Sequence, residues 1–389
     1  MIKKNIDVLI VARPDHSMQI YNALLGQENL SFLYLSYKIF PKWMKKLTGI
    51  KKMTTVTKYA ICSWRMTIIN LCRFKYRFSF AQKWDETHVF DSSLKRIFMK
   101  NNIRIIHYWP EYGNAEINKY ISLHPEVKTY ADIHMPHPKI VYESMKPVYG
   151  KYGILPESTD LFRMSEAHSD IVKHASNILV PSAYVADTYR KVYTNKNYHI
   201  ISYGITPSVH YSKKQGPVKQ FVYAGRISLE KGGDLLLEYF ANHPKYTLNI
   251  YGSMDKDQSA IFEKYENIQN IIFHGQVPKV ELQKEMSKYD VGIHLSRFDA
   301  YSLAVGEMIG VGLPVIVSCN TGNKDDVAKY NFGCVTDLNL ESVSLSIQTI
   351  VDNYNAYIDS ISDYIKNQYM SYGDAMVDFY MRLIDNVKS

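Results

Sequence analysis

Short apolar runs rich in β-branched residues alternate with longer helical segments along most of the chain. A run of four to eight such residues between polar residues is typical of a buried strand. We predict strands at Asp7–Ala12, Leu30–Tyr37, Ile103–Trp109, Lys128–Ile133, Ser176–Val180, Tyr198–Tyr203, Tyr246–Tyr251, Asn270–Phe273, Val291–Leu295 and Val315–Val317, with a further strand beginning at Phe221. Strands that alternate with helices indicate parallel sheets covered on both faces. The pattern therefore predicts an α/β protein with two doubly wound sheets.

The break between the two sheets is predicted near residue 208. Ser208–Lys219 is polar and contains a Gly-Pro pair, which is typical of a linker. Asp160–Ala175 and Leu340–Ser389 are predicted to be mainly helical. The 389 residues, of which 46% are hydrophobic and 22% charged, suffice for two globular domains of ordinary size.

The cysteines and the N-terminus favour a cytosolic protein. Cys62, Cys72, Cys319 and Cys334 show neither C-x-x-C pairing nor zinc spacing, so we interpret them as reduced thiols. The first residues are basic and precede an apolar run, as in a signal peptide. Asp7 interrupts that run, however, and a first strand is the better interpretation.

The net charge of +8 is concentrated in one segment. Asn29–Trp84 has no acidic residue, and aromatic residues are interleaved with its cations: Lys38, Lys42, Lys45, Lys46, Lys51, Lys52, Lys58, Arg65, Arg73, Lys75, Arg77 and Lys83. This composition predicts a patch that docks on an anionic membrane surface. The alternative is a solvated, largely helical basic insertion at about residues 38–84. No nucleic-acid recognition motif accompanies the segment, so we predict no nucleic-acid partner.

Two carboxylates lie within the strand–loop–helix–strand unit that spans Asp290–Ser318. The loop carries Asp299, and the helix begins near Ser302 and holds Glu307. Ligands of such sheets bind beyond the carboxyl ends of the strands, and carboxylates there suit a ligand rich in hydroxyls. The alternative is structural, because Glu in a first helical turn complements the helix dipole and Asp is common in turns.

A second unit, Phe221–Phe240, has a basic loop with glycines before its helix. The loop contains Gly225, Arg226, Lys231, Gly232 and Gly233. Backbone N–H groups at a helix N-terminus, together with Arg and Lys, form a favourable site for a diphosphate. A solvated turn with incidental cations is the alternative.

Together these units resemble the donor-binding half of retaining family 4 glycosyltransferases, which have the GT-B architecture. The resemblance covers Phe221–Val327 and includes G-R-x-x-x-E-K-G-x-D, then an acid, seven residues and Glu, followed by G-x-P-V-I. It implies that Arg226 and Lys231 hold the donor diphosphate, that Glu307 holds the ribose and that Asp299 contacts the transferred sugar. The family usually has Glu where this chain has Asp299, which is shorter by one methylene.

The resemblance implies further site residues. Gly225, Gly252, Val277, Ser302 and Leu303 would lie along the donor nucleotide. His134, directly after a predicted strand, would contact the donor sugar, and His137 is a weaker candidate. The Asp255-Lys256-Asp257 triplet is interpreted as a solvated turn, and we predict no metal site and no cofactor.

The architecture implies two Rossmann-like domains facing a central cleft. We predict an acceptor-binding domain at residues 1–207, a nucleotide-sugar-binding domain at 208–371 and a terminal helix at 372–389 that packs back on the first domain. The function implied is a metal-independent hexosyltransferase of class EC 2.4. Its donor would be a nucleotide-diphosphate sugar, which is a substrate and not a cofactor.

The predicted acceptor is a saccharide, lipid-linked in bacterial O-antigen or capsule assembly, and the enzyme would lie peripherally on the inner face of the plasma membrane. A GT-B epimerase or phosphorylase and a non-catalytic saccharide-binding protein remain alternatives. A dinucleotide-dependent oxidoreductase is disfavoured because no G-x-G-x-x-G follows any predicted strand.

Overall fold

The computed structural model describes residues 3–12, 16–36, 39–40, 54–55, 59–62, 86–110, 114–167, 172, 175–212 and 216–385. The elements of the N-terminal part are β1 (Lys4–Val11), α1 (Ser17–Leu24), β2 (Phe32–Ser36), β3 (Ile39–Phe40), β4 (Thr54–Thr55), β5 (Ala60–Cys62), α2 (Glu86–Lys100), β6 (Asn101–Tyr108), α3 (Asn114–Leu123), β7 (Lys128–Asp132), α4 (Pro138–Lys151), α5 (Asp160–Ala167), β8 (Asn177–Val180), α6 (Ala183–Arg190) and β9 (Asn197–Ile200). Seven of these strands form one sheet.

The elements of the C-terminal part are β10 (Gln220–Ala224), α7 (Gly233–Ala241), β11 (Thr247–Tyr251), α8 (Ser259–Phe262), β12 (Ile271–Gly275), α9 (Lys279–Met286), β13 (Val291–His294), α10 (Leu303–Gly310), β14 (Val315–Ser318), α11 (Lys324–Lys329), β15 (Gly333–Thr336), α12 (Leu340–Asp352), α13 (Tyr354–Asn367) and α14 (Tyr372–Asp385). Six strands form the second sheet.

Both sheets are parallel, with strand orders β5-β2-β1-β6-β7-β8-β9 and β12-β11-β10-β13-β14-β15. In the first sheet the chain adds β2 and β5 on one side of β1 and then returns to add β6 on the other side. In the second sheet it adds β11 and β12 on one side of β10 and then returns to add β13 on the other. Ligands of open α/β sheets bind at such switch points, beyond the carboxyl ends of the strands. The topology confirms the predicted pair of doubly wound sheets.

Three local predictions need correction. The basic insertion was expected to be largely helical, but Ala60–Cys62 forms β5 and pairs with β2, while most of residues 38–84 lie outside the described residues. The helix predicted for Asp160–Ala175 ends at Ala167 among the described residues. The sequence prediction missed β15, whose Gly-Cys-Val-Thr composition is a weak strand signal and whose pairing comes from β14.

Two helices, α14 and α4, each pack on the sheet formed by the other half of the chain. The buried side chains of α14, including Met376 and Tyr380, complete the core of the first sheet beside α1. Contact there is close, because a Cβ on Gly373 would lie 2.5 Å from the carbonyl oxygen of Gln19. Conversely, Met145 and Tyr149 of α4 belong to the core of the second sheet. These crossings hold the two sheets against each other.

None of the helices within the described residues is both long enough and apolar enough to cross a lipid bilayer.

Candidate active site

A cavity of about 250 Å³ lies between the carboxyl ends of the two sheets, and we call it the first cavity. It is lined by His16, His134, Met135, Pro136, Pro138, Val141, Leu161, Tyr203, Lys231, Phe298, Asp299, Ala300, Tyr301 and Leu303. Both halves of the chain contribute to its walls. Four predicted site residues, His134, Lys231, Asp299 and Leu303, therefore meet in one space.

Lys231 and Asp299 form the charged centre of this cavity. The Lys231 Nζ lies 2.7 Å from the Asp299 Oδ2, and the His294 Nε2 lies 3.1 Å from the same oxygen. Burial alone would raise the pKa of Asp299, but the hydrogen bond from His294 and the charge of Lys231 outweigh it and hold that pKa well below its usual value. Asp299 is thus an anion throughout the neutral range.

His294 supports Asp299 from inside β13. Burial lowers the pKa of His294, and the carboxylate of Asp299 offsets only part of that effect. A neutral imidazole facing a carboxylate must donate from Nε2, which leaves Nδ1 as the bare nitrogen. Within the described structure this Nδ1 is buried and has no hydrogen-bond partner. His294 therefore orients Asp299 without adding a charge.

The loop that carries Lys231 is fixed by its own chain geometry. Gly232 has φ +69°, and a Cβ there would lie 2.0 Å from the carbonyl oxygen of Leu295, so only glycine fits. Below it, Arg297 bonds both carboxylate oxygens of Asp234, at 2.6 and 2.9 Å. These contacts place the start of α7 against the end of β13 and direct Lys231 toward Asp299.

The N-terminus of α10 opens on the first cavity through Leu303, which is 47% exposed. Ser302 caps the helix by accepting from the Val305 N–H, and its own N–H donates to Asn323 at 2.6 Å. The first N–H groups of a helix lack intrahelical acceptors, so this end favours an anion. Glu307 lies one turn further on and pairs with Lys279 at 2.5 Å, outside the cavity lining.

Gly225 and Gly252 end the neighbouring strands β10 and β11. Their backbones touch, because a Cβ on Gly252 would lie 1.9 Å from the carbonyl oxygen of Gly225. Beyond β12, Val277 packs on the apolar cluster that contains Val305 of α10. The three predicted nucleotide-contacting residues thus follow three adjacent strands of the sheet.

Arg226 does not join Lys231 in the first cavity. Its Nη1 lies 3.0 Å from the Asp255 Oδ2, and its side chain is 59% exposed. It lines an adjoining space of about 500 Å³, the second cavity. Asp255 also caps the turn at Lys256–Gln258, so the acidic triplet is tied to local structure.

His134 lines the first cavity with its ring packed against Trp109 at 4.0 Å between centroids. Its Nδ1 lies 2.6 Å from the Tyr203 hydroxyl, and its Nε2 lies 3.7 Å from the Asp132 Oδ2. Both ring nitrogens therefore face protein groups. His137, the weaker candidate, is buried outside the first cavity against Tyr189.

Sequence reasoning missed several wall residues. His294 contacts Asp299, while Tyr203 and Tyr301 line the first cavity. Tyr203 and Tyr301 both follow the carboxyl end of a strand, so the rule that located Asp299 could have found them. His294 lies inside a strand and carried no such signal.

Residues 210–368 match the family described as Glycosyl transferases group 1. This part of the chain is therefore similar to that family. The match covers the second sheet together with α12 and α13, and it includes Lys231, Asp299 and Glu307.

Several solved structures superpose on nearly the whole chain. A sucrose-phosphate synthase from Thermosynechococcus elongatus gives a TM-score of 0.62 at 15% identity, over 99% of this chain and 100% of that chain. The lipopolysaccharide outer core galactosyltransferase WaaB gives 0.62 at 14%, over 96% and 98%. HepE from Anabaena, solved in complex with UDP, gives 0.58 at 12%, over 100% of both chains. This likeness confirms the predicted GT-B fold.

A curated relative is described as an uncharacterized 41.2 kDa protein in the cps region of Klebsiella pneumoniae. It is 34% identical over 99 residues, which are 25% of this chain and 26% of that protein. The match thus spans about a quarter of the length of this relative.

Proposed function

We propose that this protein is a group 1 glycosyltransferase of the retaining type, which moves a hexose from a nucleotide-diphosphate sugar to a saccharide acceptor. The observation that carries the proposal is the Lys231–Asp299 pair at 2.7 Å in a cavity between the two sheets. A cation and an ionised acid in one cavity match the two needs of the reaction. The departing diphosphate requires positive charge, and the sugar hydroxyls require acceptors.

In the proposed complex the diphosphate lies between Lys231 and the N-terminus of α10, and the sugar lies over Asp299. Lys231 would exchange part of its contact with Asp299 for the phosphate, which stabilises charge as it develops on the leaving group. Glu307 would accept hydrogen bonds from the hydroxyls of the ribose after releasing Lys279. Arg226 would have to leave Asp255 to reach the phosphates. With these cations, the reaction needs neither a metal ion nor a cofactor.

The decisive experiment compares wild type with Lys231→Met in the presence of sugar nucleotides. We expect wild type to gain thermal stability with one nucleoside diphosphate, because binding to the folded state stabilises it by mass action. It should also release that nucleoside diphosphate from the matching sugar nucleotide. Lys231→Met should lose about 100-fold or more in turnover, since it removes one well-placed charge.

Lys288→Met is the matched control, because Lys288 is an exposed lysine that pairs with Glu285 on another surface. Its turnover should equal that of wild type. If no nucleoside diphosphate changes the thermal stability of wild type, a non-catalytic saccharide-binding function replaces the proposal. Release of a free sugar or sugar phosphate without an acceptor would instead favour the epimerase or phosphorylase alternative.

We further propose that the acceptor is lipid-linked and that the enzyme works at the cytoplasmic face of the plasma membrane, in bacterial surface polysaccharide assembly. The acid-free basic composition of residues 29–84 supports this proposal, and so does the description of the Klebsiella relative. Vesicles that contain anionic lipid should sediment the protein, and zwitterionic vesicles should not. Equal recovery in both supernatants would contradict membrane docking.

A further inference from the structure

The second cavity adjoins the first, and it is the larger of the two. It is lined by Met135, Tyr149, Ile154, Ser158, Thr159, Asp160, Leu161, Arg163, Met164, Arg226, Glu230, Asp255, Asp257, Gln258 and Phe298. Met135, Leu161 and Phe298 line both cavities and form the shared wall. A molecule bound in the second cavity would therefore lie next to a sugar held at Asp299.

The walls of the second cavity combine apolar surfaces with hydrogen-bonding groups. Phe298, Leu161 and Met135 offer apolar contact, and Ser158, Thr159 and four carboxylates of the same lining offer hydrogen-bonding groups. A sugar ring has both kinds of surface, since its C–H groups pack on apolar side chains and its hydroxyls donate to carboxylates. The chemistry of the walls suits a saccharide residue.

The charges of the second cavity oppose an anion. Four carboxylates face two guanidinium groups in its lining. Arg163 pairs with Asp160 and Arg226 pairs with Asp255, so Glu230 and Asp257 carry the excess negative charge. Burial alone would raise the pKa of Glu230, but hydrogen bonds from Tyr149 and Gln258 help to hold it below its usual value. A diphosphate is thus better placed in the first cavity, beside Lys231.

From these observations we infer that the second cavity is the subsite for the acceptor and that it takes an uncharged, hydroxyl-rich sugar residue in preference to an acidic one. The inference rests on the proposed function, because the first cavity must hold the donor sugar. It adds to that function a binding site for the acceptor and a preference for acceptor sugars without a charge.

The test uses octyl β-glucoside and octyl β-glucuronide as acceptors, with the sugar nucleotide that wild type cleaves. Wild type should prefer the uncharged glucoside. Asp257→Lys removes one negative charge and adds one positive charge at the rim of the cavity. We expect it to raise the ratio of kcat/KM for the glucuronide over the glucoside by about tenfold or more. Asp257→Asn, which removes the charge and keeps the shape, should give an intermediate rise.

The matched control is Asp352→Lys, an equal charge change at an exposed residue near the end of α12 that lines neither cavity. It should leave the ratio unchanged, and all three variants should keep the wild-type KM for the sugar nucleotide. A raised sugar-nucleotide KM in Asp257→Lys, with an unchanged acceptor ratio, would assign the second cavity to the nucleotide and overturn the inference. Wild-type preference for the glucuronide would overturn it too, while the transferase activity stands. No cleavage of any sugar nucleotide would contradict the proposed function and the inference together.

Discussion

At the scale of single residues, the site depends on charges that are held ready before any ligand arrives. Asp299 is ionised because Lys231 and His294 both contact its Oδ2. Lys231 is 30% exposed at the side chain, so the diphosphate of the proposed donor would reach it without unfolding of the loop. His294 is buried and neutral, so it adds a hydrogen bond to Asp299 without adding a charge.

The pH dependence of stability provides a test of the neutral state of His294. Because its pKa in the folded state lies below 6.5, the unfolded chain binds more protons as the pH falls through that value, and stability declines. His137, His199 and His274 also have lowered pKa values, all through burial, and act in the same direction. Protonation of Asp299 lowers the stability further, but only as the pH falls below 3.8, the ordinary pKa of its carboxyl group.

We therefore expect the free energy of unfolding of wild type to fall between pH 6.5 and pH 5. In His294→Gln the slope should be shallower by up to about 1.4 kcal/mol per pH unit, the contribution of one proton. Urea titrations at several pH values measure it. His124→Gln, at a partly exposed histidine paired with Glu126, is the control. Identical slopes in wild type and His294→Gln would mean that the buried imidazole is protonated in the folded state.

At the scale of elements, the ends of strands determine what the site can hold. Gly225 and Gly252 let the loops after β10 and β11 lie in direct backbone contact. A side chain at Gly252 would meet the carbonyl oxygen of Gly225, at a φ of +150° that L residues rarely adopt. The shape of this edge of the second sheet thus depends on backbone approach as much as on side chains.

Gly252→Ala should destabilise the chain by about 2 kcal/mol or more, because both the clash and the backbone conformation oppose the new Cβ. Gly150→Ala is the matched control. A Cβ at Gly150 meets nothing within 4 Å in the last turn of α4, so the change should stabilise by about 0.5–1 kcal/mol. Chemical denaturation measures both. Equal effects would show that the contact between the two loops is not fixed in solution.

Element patterns also show what the sequence could predict. Val291–His294 and Val315–Ser318 are continuous β-branched or apolar runs, so strand prediction succeeded, and the rule for strand ends brought Lys231 and Asp299 together. The direction of Arg226 could not be predicted, because Asp255, which pairs with it, lies 29 residues away and follows another strand. The packing of α4 on the second sheet could not be predicted either, because amphipathic periodicity shows which face of a helix is buried but not which element covers it.

At the scale of the whole molecule, polar contacts join the two halves around the first cavity. Ser182 donates to the Ala300 carbonyl oxygen at 2.7 Å, and Ser202 donates to Asp326 at 2.9 Å. A buried chain of contacts also runs from α14 to the cavity wall. Tyr380 lies 2.5 Å from the His107 Nδ1, and the His107 Nε2 lies 2.9 Å from Asp132, the neighbour of His134. The last helix is thus linked to the cavity through hydrogen bonds as well as through apolar packing.

Tyr380→Phe should lower the free energy of unfolding by about 1–3 kcal/mol, because it leaves a buried nitrogen of His107 without its partner. The loss should appear in the unfolding of the first sheet, which a tryptophan signal from buried Trp109 would report. Tyr369→Phe, at a residue that is 39% exposed before α14, is the control and should be neutral. If both variants have wild-type stability, the hydrogen bond between Tyr380 and His107 contributes nothing to the free energy of unfolding.

The position of α14 also determines the order in which the two halves of a nascent chain can fold. The ribosome completes β1 to β9 early, yet the core that they share with Met376 and Tyr380 stays open until the last helix has been synthesised. Most of the second sheet is translated before that point and can fold first. Chaperones that shield apolar surface during synthesis should therefore bind the N-terminal half, the part that ordinary vectorial folding would finish first.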